Sequence, residues 1–508
     1  LVLGGQVKRE DLSSPGMRQR GIQEIDGVAL TAPVTKRSIR VEAPVSRADF
    51  IDAVSASWSG RRGPVFVEIC LDAQAAAPID DAGRPEPSAV GRPPRATSDQ
   101  VAATGRLLTQ SSRPVLLMGG GMSREAARRV LPLVPDLPIA TSWNALDRID
   151  YDDRRSFGRP DTWGMRWSNV LLQQADLVIA LGARLSLQQT GFRWQEFAPL
   201  AQVVHVDIDP SELCKGHPAV DLAVEADAED FLRQVLEVLD SSGLRSGCAE
   251  RWKEWLEFGR EVRAALPLDD PENVTGDGFL SPYQFADMLS DLLGPSDVLV
   301  PCSSGGASTV LMQAFRQREG QVVLNNKALA SMGYGLAGAI GAALALPGRR
   351  VVHVEGDGGF SQNLQELGTV AAQQLNIKTF LFANDGYASI RMTQKSYFGG
   401  TYVGCDRTTG VGLPDWPHVF AAYGIPFHVL DPQDPFAAVA PLLEAEGPAA
   451  FAVPVDPEQT YFPKITSRLT ASGGMQSNPL HRMTPDLPEN VVRRVLPYLP
   501  LGATGEQD

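Results

Sequence analysis

Two apolar runs, Val351-Val352-His353-Val354 and Ile377-Lys378-Thr379-Phe380-Leu381-Phe382-Ala383, flank a segment whose Leu364, Leu367, Val370, Ala371 and Leu375 fall near one helical face. The pattern predicts strand, helix over Ser361–Leu375, then strand. A right-handed crossover makes two such strands parallel. Each run ends in a polar, glycine-bearing turn: Gly356-Asp357-Gly358-Gly359 after the first, Asn384-Asp385-Gly386 after the second. Both turns then lie at the carboxyl edge of one sheet, where open α/β sheets bind ligands.

The same alternation recurs along the chain. Strands are predicted at Leu1-Val2-Leu3, Val65–Cys70, Pro114–Met118, Leu177–Ala180, Val203–Asp207 and Val298–Pro301. Helices are predicted near Arg47–Ser57, from Ser123, around Trp252–Ala265, over the small apolar stretch Leu336–Leu346 and near Glu489–Val495. A stretch rich in Ala, Pro, Gly and Asp, from Gln74 to Arg95, reads as a linker. The division that follows is 1–80, linker 81–98, a Rossmann-like segment 99–240, a connecting segment 241–280, a third domain 281–456 and a tail 457–508. The expected class is α/β, with parallel sheets flanked by helices.

Composition narrows the function. A chain of 508 residues, 43% hydrophobic and 21% charged, is ordinary globular material. A net charge of −14, without a basic cluster interleaved with aromatics, argues against nucleic acid or an anionic membrane as partner. Leu336–Leu346 is too short and too rich in glycine for a membrane span. The five scattered cysteines (Cys70, Cys214, Cys248, Cys302, Cys405) form no CxxC and fit reduced thiols. No signal peptide is evident, so the expected compartment is the cytoplasm.

The two polar turns offer a charged oxygen on Asp357, a neutral one on Asn384 and a backbone carbonyl at Gly386. That set suits a hydrated hard cation such as magnesium, which takes about six oxygens, several of them from phosphate and water. Gly358 and Gly359 leave backbone N–H groups open to a diphosphate at a helix start. Two unrelated Gly/Asp turns are the plain alternative, and the pairing of the turns in one strand–helix–strand unit weighs against it. Gly119-Gly120-Gly121 after Pro114–Met118 admits either a phosphate cradle or a tight structural turn, and no full GxGxxG is present. Cys302 has no evident base and reads as structural. His353 and His205 lie inside apolar strands and read as buried and satisfied.

The segment VEGDGGFSQNLQELGTVAAQQLNIKTFLFANDGYASI resembles the cofactor signature of the thiamine-diphosphate enzymes of the acetolactate synthase and pyruvate decarboxylase superfamily. The resemblance implies magnesium held by Asp357, Asn384 and the Gly386 carbonyl. It implies thiamine diphosphate held by Met332, Gly333, Gly356, Gly358, Gly359, Tyr387 and Ala388. Ala330-Ser331-Met332-Gly333-Tyr334-Gly335-Leu336 is similar to the family's G-x-M-G-x-x-L approach, with Ala330 replacing the first glycine and Met332 as the wedge that bends the cofactor. A plain core methionine is the alternative. The implied architecture is the three-domain one, and the implied reaction is decarboxylation of a 2-keto acid such as pyruvate, with carboligation to a second carbonyl compound. A simple decarboxylase, or an incomplete homologue acting as a binding subunit, is the alternative.

Residues 1–80 resemble the second half of the family's pyrimidine-binding domain, so the first domain is expected to be truncated. The family's cofactor-activating glutamate falls in the other half, and no catalytic residue is assigned; Glu24 and Glu68 match other parts of the family. Ala180-Leu181-Gly182-Ala183-Arg184 resembles the stretch beside FAD in acetolactate synthases, but Ser186-Leu187-Gln188-Gln189 departs from it, which leaves FAD open. Family sites form between subunits, which implies a homodimer or homotetramer. The tryptophan that acetolactate synthases place nine positions after the metal-binding asparagine is Thr393 here, a change that would admit a larger or more polar acceptor. Arg391 is either an anion holder or an exposed helix residue. The tail is expected to fold over the site entrance or to hang loose.

Overall fold

The computed structural model describes residues 1–77, 79, 93–134, 136–302, 304–437, 439–469 and 474–500. Most of the predicted linker (80–92), Ser303 and the tail residues 470–473 and 501–508 lie outside the described residues. The chain forms two units: Leu1–Ala96 with Ile208–Glu212 and Glu225–Asp227, and the remainder from Thr97 onward.

In the first unit, strands β1 (Val2–Gln6), β2 (Arg37–Val41) and β3 (Val65–Cys70) form a parallel sheet in the order β1-β3-β2. Val41, Val65 and Val67 make a small core, with Ile39, Phe50 and Ile69 packed against it. The helix predicted over Arg47–Ser57 spans Arg47–Ser55, started by Ser46, whose hydroxyl accepts the Asp49 N–H at 3.0 Å. A long excursion between β1 and β2 is gathered by Glu24. Its carboxylate accepts the Ser13 N–H (2.7 Å) and hydroxyl (2.7 Å), the Arg20 N–H (2.9 Å) and the Gly21 N–H (2.8 Å). Glu68, buried in β3, binds Arg40 at 2.5 Å.

The second unit holds two larger parallel sheets. The central one runs in the order β5-β4-β6-β7-β8, from β4 (Pro114–Met118), β5 (Ile139–Thr141), β6 (Leu177–Leu181), β7 (Gln202–Asp207) and β8 (Leu222–Glu225). That is a doubly wound order whose topological switch lies between β4 and β5 on one side and β6 on the other. The other sheet runs β10-β9-β11-β12-β14-β13, from β9 (Val298–Val300), β10 (Val322–Val323), β11 (Val351–Gly356), β12 (Ile377–Ala383), β13 (Phe427–Val429) and β14 (Ala449–Pro454). Its switch lies between β9 and β11, and β11 pairs with β12 in parallel.

β12 is buried on both faces, which is why it reads as a nearly unbroken apolar run. Phe380 stacks on Phe451 (4.9 Å) and meets Phe285 edge-on (5.3 Å). Each such buried ring contributes about 1.5–3 kcal/mol. Lys378, the one charge in the run, is also buried and donates to the Ala445 and Gly447 carbonyls at 2.6 Å each.

One predicted element breaks up. Ser361–Leu375 is a 3-10 turn at Leu364–Glu366 followed by a helix over only Leu367–Ala372. Asn363 leaves helical geometry (φ −143°), and its side chain donates to Gly333 O at 3.3 Å. A tertiary hydrogen bond thus overrides the helical spacing, and Gly368 weakens it further. Leu336–Leu346 lies in a helix over Tyr334–Ala345 with one face buried, although Leu344 is exposed. The tail is built in: Arg166 donates to Met483 O and Pro485 O, and Val495 and Leu496 join the core of the central sheet. Among the described residues, no helix is long and apolar enough to cross a membrane.

The Glu24 knot generates a pH prediction. Four donated hydrogen bonds hold its carboxyl down at about 2, below the ordinary value near 4.5. The knot's contribution is present above the unfolded value and is lost as pH falls through about 2. Glu24→Gln should loosen residues 13–24 at neutral pH, measured as faster amide exchange at Ser13, Arg20 and Gly21. Unchanged exchange there would refute this role.

Candidate functional site at the carboxyl edge of the second large sheet

β11 ends at Gly356, and the chain turns at once into a one-turn helix, Asp357–Phe360. Asp357 is 2% exposed. One carboxylate oxygen accepts the Gly358 N–H (2.7 Å), the other the Asn384 N–H (3.0 Å). The parallel register that sets Gly356 opposite Phe382 brings the two turns together. Burial pushes the Asp357 carboxyl up to about 7, outweighing backbone hydrogen bonds from Gly358, Asn384, Gly386 and Asp385. A buried carboxylate so placed calls for a cation.

The next two donors complete the set. One end of the Asn384 carboxamide lies 3.0 Å from Gly386 O and 3.2 Å from Asp357 Oδ1. With its nitrogen at that end, the amide donates to both. With its oxygen there, three oxygens of different kinds converge, the donor set of a hard divalent cation. Gly386 has φ +130°, and a Cβ on it would meet Cys405 O at 2.3 Å, so only glycine turns its carbonyl to this place.

The remaining predicted positions gather around that point. A Cβ on Gly358 would lie 2.4 Å from Tyr387 Cδ1, so the glycine seats the tyrosine ring. The Tyr387 hydroxyl accepts from Gln362 at 3.0 Å, and Tyr387 caps the helix that begins at Ala388. Gly359 sits beside Glu355, and Gly356 faces open space. Gly333, at φ +80°, starts the Tyr334–Ala345 helix. Met332, just before it, is 42% exposed rather than packed in a core. Ala330 adopts φ +50°, a conformation that favours the glycine it replaces.

The other residues singled out by sequence have structural partners. Cys302 is buried and its thiol donates to Ser304 O at 3.2 Å. His353 faces Glu355 at 3.1 Å, and His205 faces Ala183 O at 2.9 Å. Arg391 is buried, bound to Pro457 O (3.2 Å) and Asp406 (3.3 Å), and is neither exposed nor open to an anion. Thr393 is exposed and donates to Ser389 O at 3.0 Å. In the 119–121 turn, the Gly119 and Gly121 N–H groups donate to Leu181 O and Gly182 O (both 2.9 Å). Those glycines let two backbones approach, since a Cβ on Gly119 would lie 2.1 Å from Gly182 O.

The stretch from Cys302 to Ala307 follows a predicted strand and by resemblance reaches the diphosphate or the substrate; the structure places a helix start there and adds residues that sequence reading missed. The helix Gly305–Ala314 begins at the β9/β11 switch; a Cβ on Gly305 would lie 3.8 Å from Ser389 Oγ, at the start of the helix after Tyr387. Tyr461 and Lys464, from the supposed tail, pack beside these two helices. Lys327 pairs with Asp161 at 2.7 Å over the Trp143 ring. Tyr461, Lys464 and Lys327 carry no local motif.

The sequence profile of the thiamine pyrophosphate enzyme C-terminal TPP binding domain matches residues 304–453, and that of the central domain matches residues 101–235. The large subunit of acetolactate synthase from Parasynechococcus marenigrum (strain WH8102) is 30% identical over 433 residues, 84% of this chain and 67% of that protein. The chain belongs to the thiamine pyrophosphate enzymes. Among its other relatives, Escherichia coli (strain K12) acetolactate synthase isozyme 1 large subunit is 29% identical over 450 residues, 87% of this chain and 76% of that protein. The acetolactate synthase of Mycobacterium bovis (strain ATCC BAA-935 / AF2122/97) is 30% identical over 432 residues, 84% of this chain and 68% of that protein. Asp357, Asn384 and Gly386 lie inside the matched TPP binding domain, and their chemistry fits a diphosphate-bound cation.

Two substitutions test the local geometry. Ala330→Gly should raise stability by about 0.5–1 kcal/mol by relieving the left-handed alanine. Gly358→Ala should lower it by about 1–3 kcal/mol, because the tyrosine ring must move. Denaturant unfolding reads both, and opposite signs would overturn the account.

Proposed function

We propose that the chain catalyses thiamine-diphosphate-dependent decarboxylation of a 2-keto acid, pyruvate first among them, and joins the fragment that remains (two carbons, for pyruvate) to a second carbonyl compound. The observation that carries the reading is the convergence of Asp357, Asn384 and the Gly386 carbonyl at the carboxyl edge of the sheet, within the matched TPP binding domain. When bound, the cofactor supplies the electron sink that lets carbon dioxide leave.

The chain's own residues would do the positioning. Asp357, Asn384 and Gly386 O hold magnesium on the diphosphate. The Gly358 N–H is taken by Asp357, and the Gly359 N–H beside it would be open to the same anion. Met332, exposed at the end of a strained loop, is the wedge under the cofactor, and Gly333 and Asn363 fix that loop from behind. Gly356 and the ring of Tyr387 border the space the cofactor takes, and Ala388 opens the adjoining helix. The net reaction is redox-neutral, so no flavin step enters it. A second copy of the chain would cover the exposed apolar side chains of Leu329, Phe398 and Val403, which lie on the segments entering and leaving the site.

Proton NMR of the full protein with pyruvate, magnesium and thiamine diphosphate tests the reading. Acetolactate or an acetoin-type product is expected, with at least a hundredfold loss in Asp357→Ala. Acetaldehyde alone would overturn the carboligase assignment, and no release of carbon dioxide would overturn the reading as a whole. Thr393→Trp should narrow the range of acceptors in the same assay; an unchanged product profile would count against an opening at that position.

A further inference from the structure

Two of the three cation donors are fixed by the sheet. Asp357 follows β11 directly and Asn384 follows β12, and the two strands are paired in register up to Gly356 and Phe382. The third donor, the Gly386 carbonyl, lies beyond the strand, on a turn. Glycine lets that carbonyl point inward, and the same freedom lets it turn away. The residue before it is under strain as well. Asp385 sits at φ +60°, a left-handed conformation that a non-glycine residue keeps only where its surroundings hold it.

The turn is held by a second segment and by one guanidinium. Gly386 forms an antiparallel bridge with Asp406, and the Tyr387 N–H donates to Cys405 O at 2.7 Å. Asp406 is anchored in its own turn, where one carboxylate oxygen accepts the Thr408 and Thr409 N–H groups, both at 3.0 Å. The other oxygen faces Arg391, which is 6% exposed. Arg391 Nη2 donates to that oxygen at 3.3 Å and to Asp385 O at 3.4 Å. Its Nη1 donates to Pro457 O at 3.2 Å, in the segment after β14. One planar fork thus ties the residue before Gly386 to the residue bridged with Gly386, and both to a third segment.

We infer that the Arg391–Asp406 pair is a selectivity clamp, which fixes the Gly386 carbonyl at the spacing of magnesium and so disfavours calcium. Both are positioning residues and act on the cation through Gly386. This rests on the proposed reading of the Asp357 site. Adjacent donors of an octahedron lie about 1.4 metal–oxygen distances apart, about 2.9 Å for magnesium and about 3.3–3.7 Å for calcium. The edge that Asn384 makes with Gly386 is 3.0 Å, that of the smaller ion. The edge it makes with Asp357, between the two strand ends, is 3.2 Å and separates the ions less sharply. Discrimination therefore falls on the edge that the clamp sets. Magnesium demands near-ideal geometry, whereas calcium accepts a range of distances and ligand numbers. A carbonyl free to drift is lost to magnesium first. Removing the charge of Arg391 strengthens the binding of either cation alike, so the ratio between the two is what reports the clamp.

The test is calorimetric titration of the full chain with thiamine diphosphate, at a fixed concentration of magnesium or of calcium. Wild type should bind the cofactor at least about tenfold more tightly with magnesium. Arg391→Met should bring that ratio to within about twofold of unity. Arg391→Lys should do the same, because it keeps the charge without the fork. Asp406→Asn keeps an oxygen for the Thr408 and Thr409 N–H groups and so preserves the local turn; it should still lower the ratio about threefold or more. A merely structural role would weaken binding with both cations together and leave the ratio at its wild-type value, and the inference then falls. It also falls if wild type binds the cofactor equally well with either cation. If neither cation promotes binding in wild type, the reading of the Asp357 site falls and takes the clamp with it. A wild-type preference that survives in all three variants sinks the clamp alone.

Discussion

A carboxylate held out of water at the end of β11 is the constraint on which the site depends. Asp357 is desolvated by the strands and helices around it, and the main-chain donors that reach it do not restore its ordinary acidity. The elements next to it are arranged around that carboxylate. β12 runs parallel and in register so that Asn384 arrives alongside. Gly386 takes a backbone conformation closed to other residues, turning a carbonyl into the same space. Tyr387 is then seated on Gly358, which leaves no room for a side chain between the two turns. The cost of burying the acid is local; its return is a position fixed by a sheet rather than by a loop.

How much of this was legible depended on whether the signal was local. β3, β4 and β12 match their apolar runs to the residue, because a strand buried on both faces leaves a continuous mark. The Asp357 and Asn384 turns were legible for a related reason: glycine next to a polar residue, just after an apolar run, is a two-part signal with a geometric meaning. Charge clustering would not have found this site, since among the described residues no group of three His, Cys, Asp or Glu side chains is placed to hold a metal. The donors are one acid, one amide and one backbone oxygen.

What stayed hidden was set by distant partners. The helix expected over Ser361–Leu375 is cut by Asn363, whose side chain reaches Gly333, a contact that periodicity cannot see. The residues around Tyr461 begin a tail that sequence reading left either folded over the entrance or loose; Pro463 O accepts from Gln313 at 3.0 Å and Ile465 N donates to Thr162 O at 2.8 Å, so this part is not loose. Arg391, read as an anion holder or a surface cation, is buried, because Pro457 O and Asp406 meet it from other segments and Asp385 O from the turn before its own helix.

The buried cations, compared with one another, show why Lys464 stands apart. Lys327 is paired with Asp161, and Arg166 with Asp270. Arg391 has Asp406. Lys378 has no acid but finds two carbonyls at 2.6 Å. Arg159, wholly buried, donates to Gln317 and to the carbonyls of Gln313 and Phe315. In each case an oxygen answers the charge, as the cost of desolvation demands. Lys464 is met by a thioether and two aromatic faces, contacts that accommodate an ammonium without neutralising it.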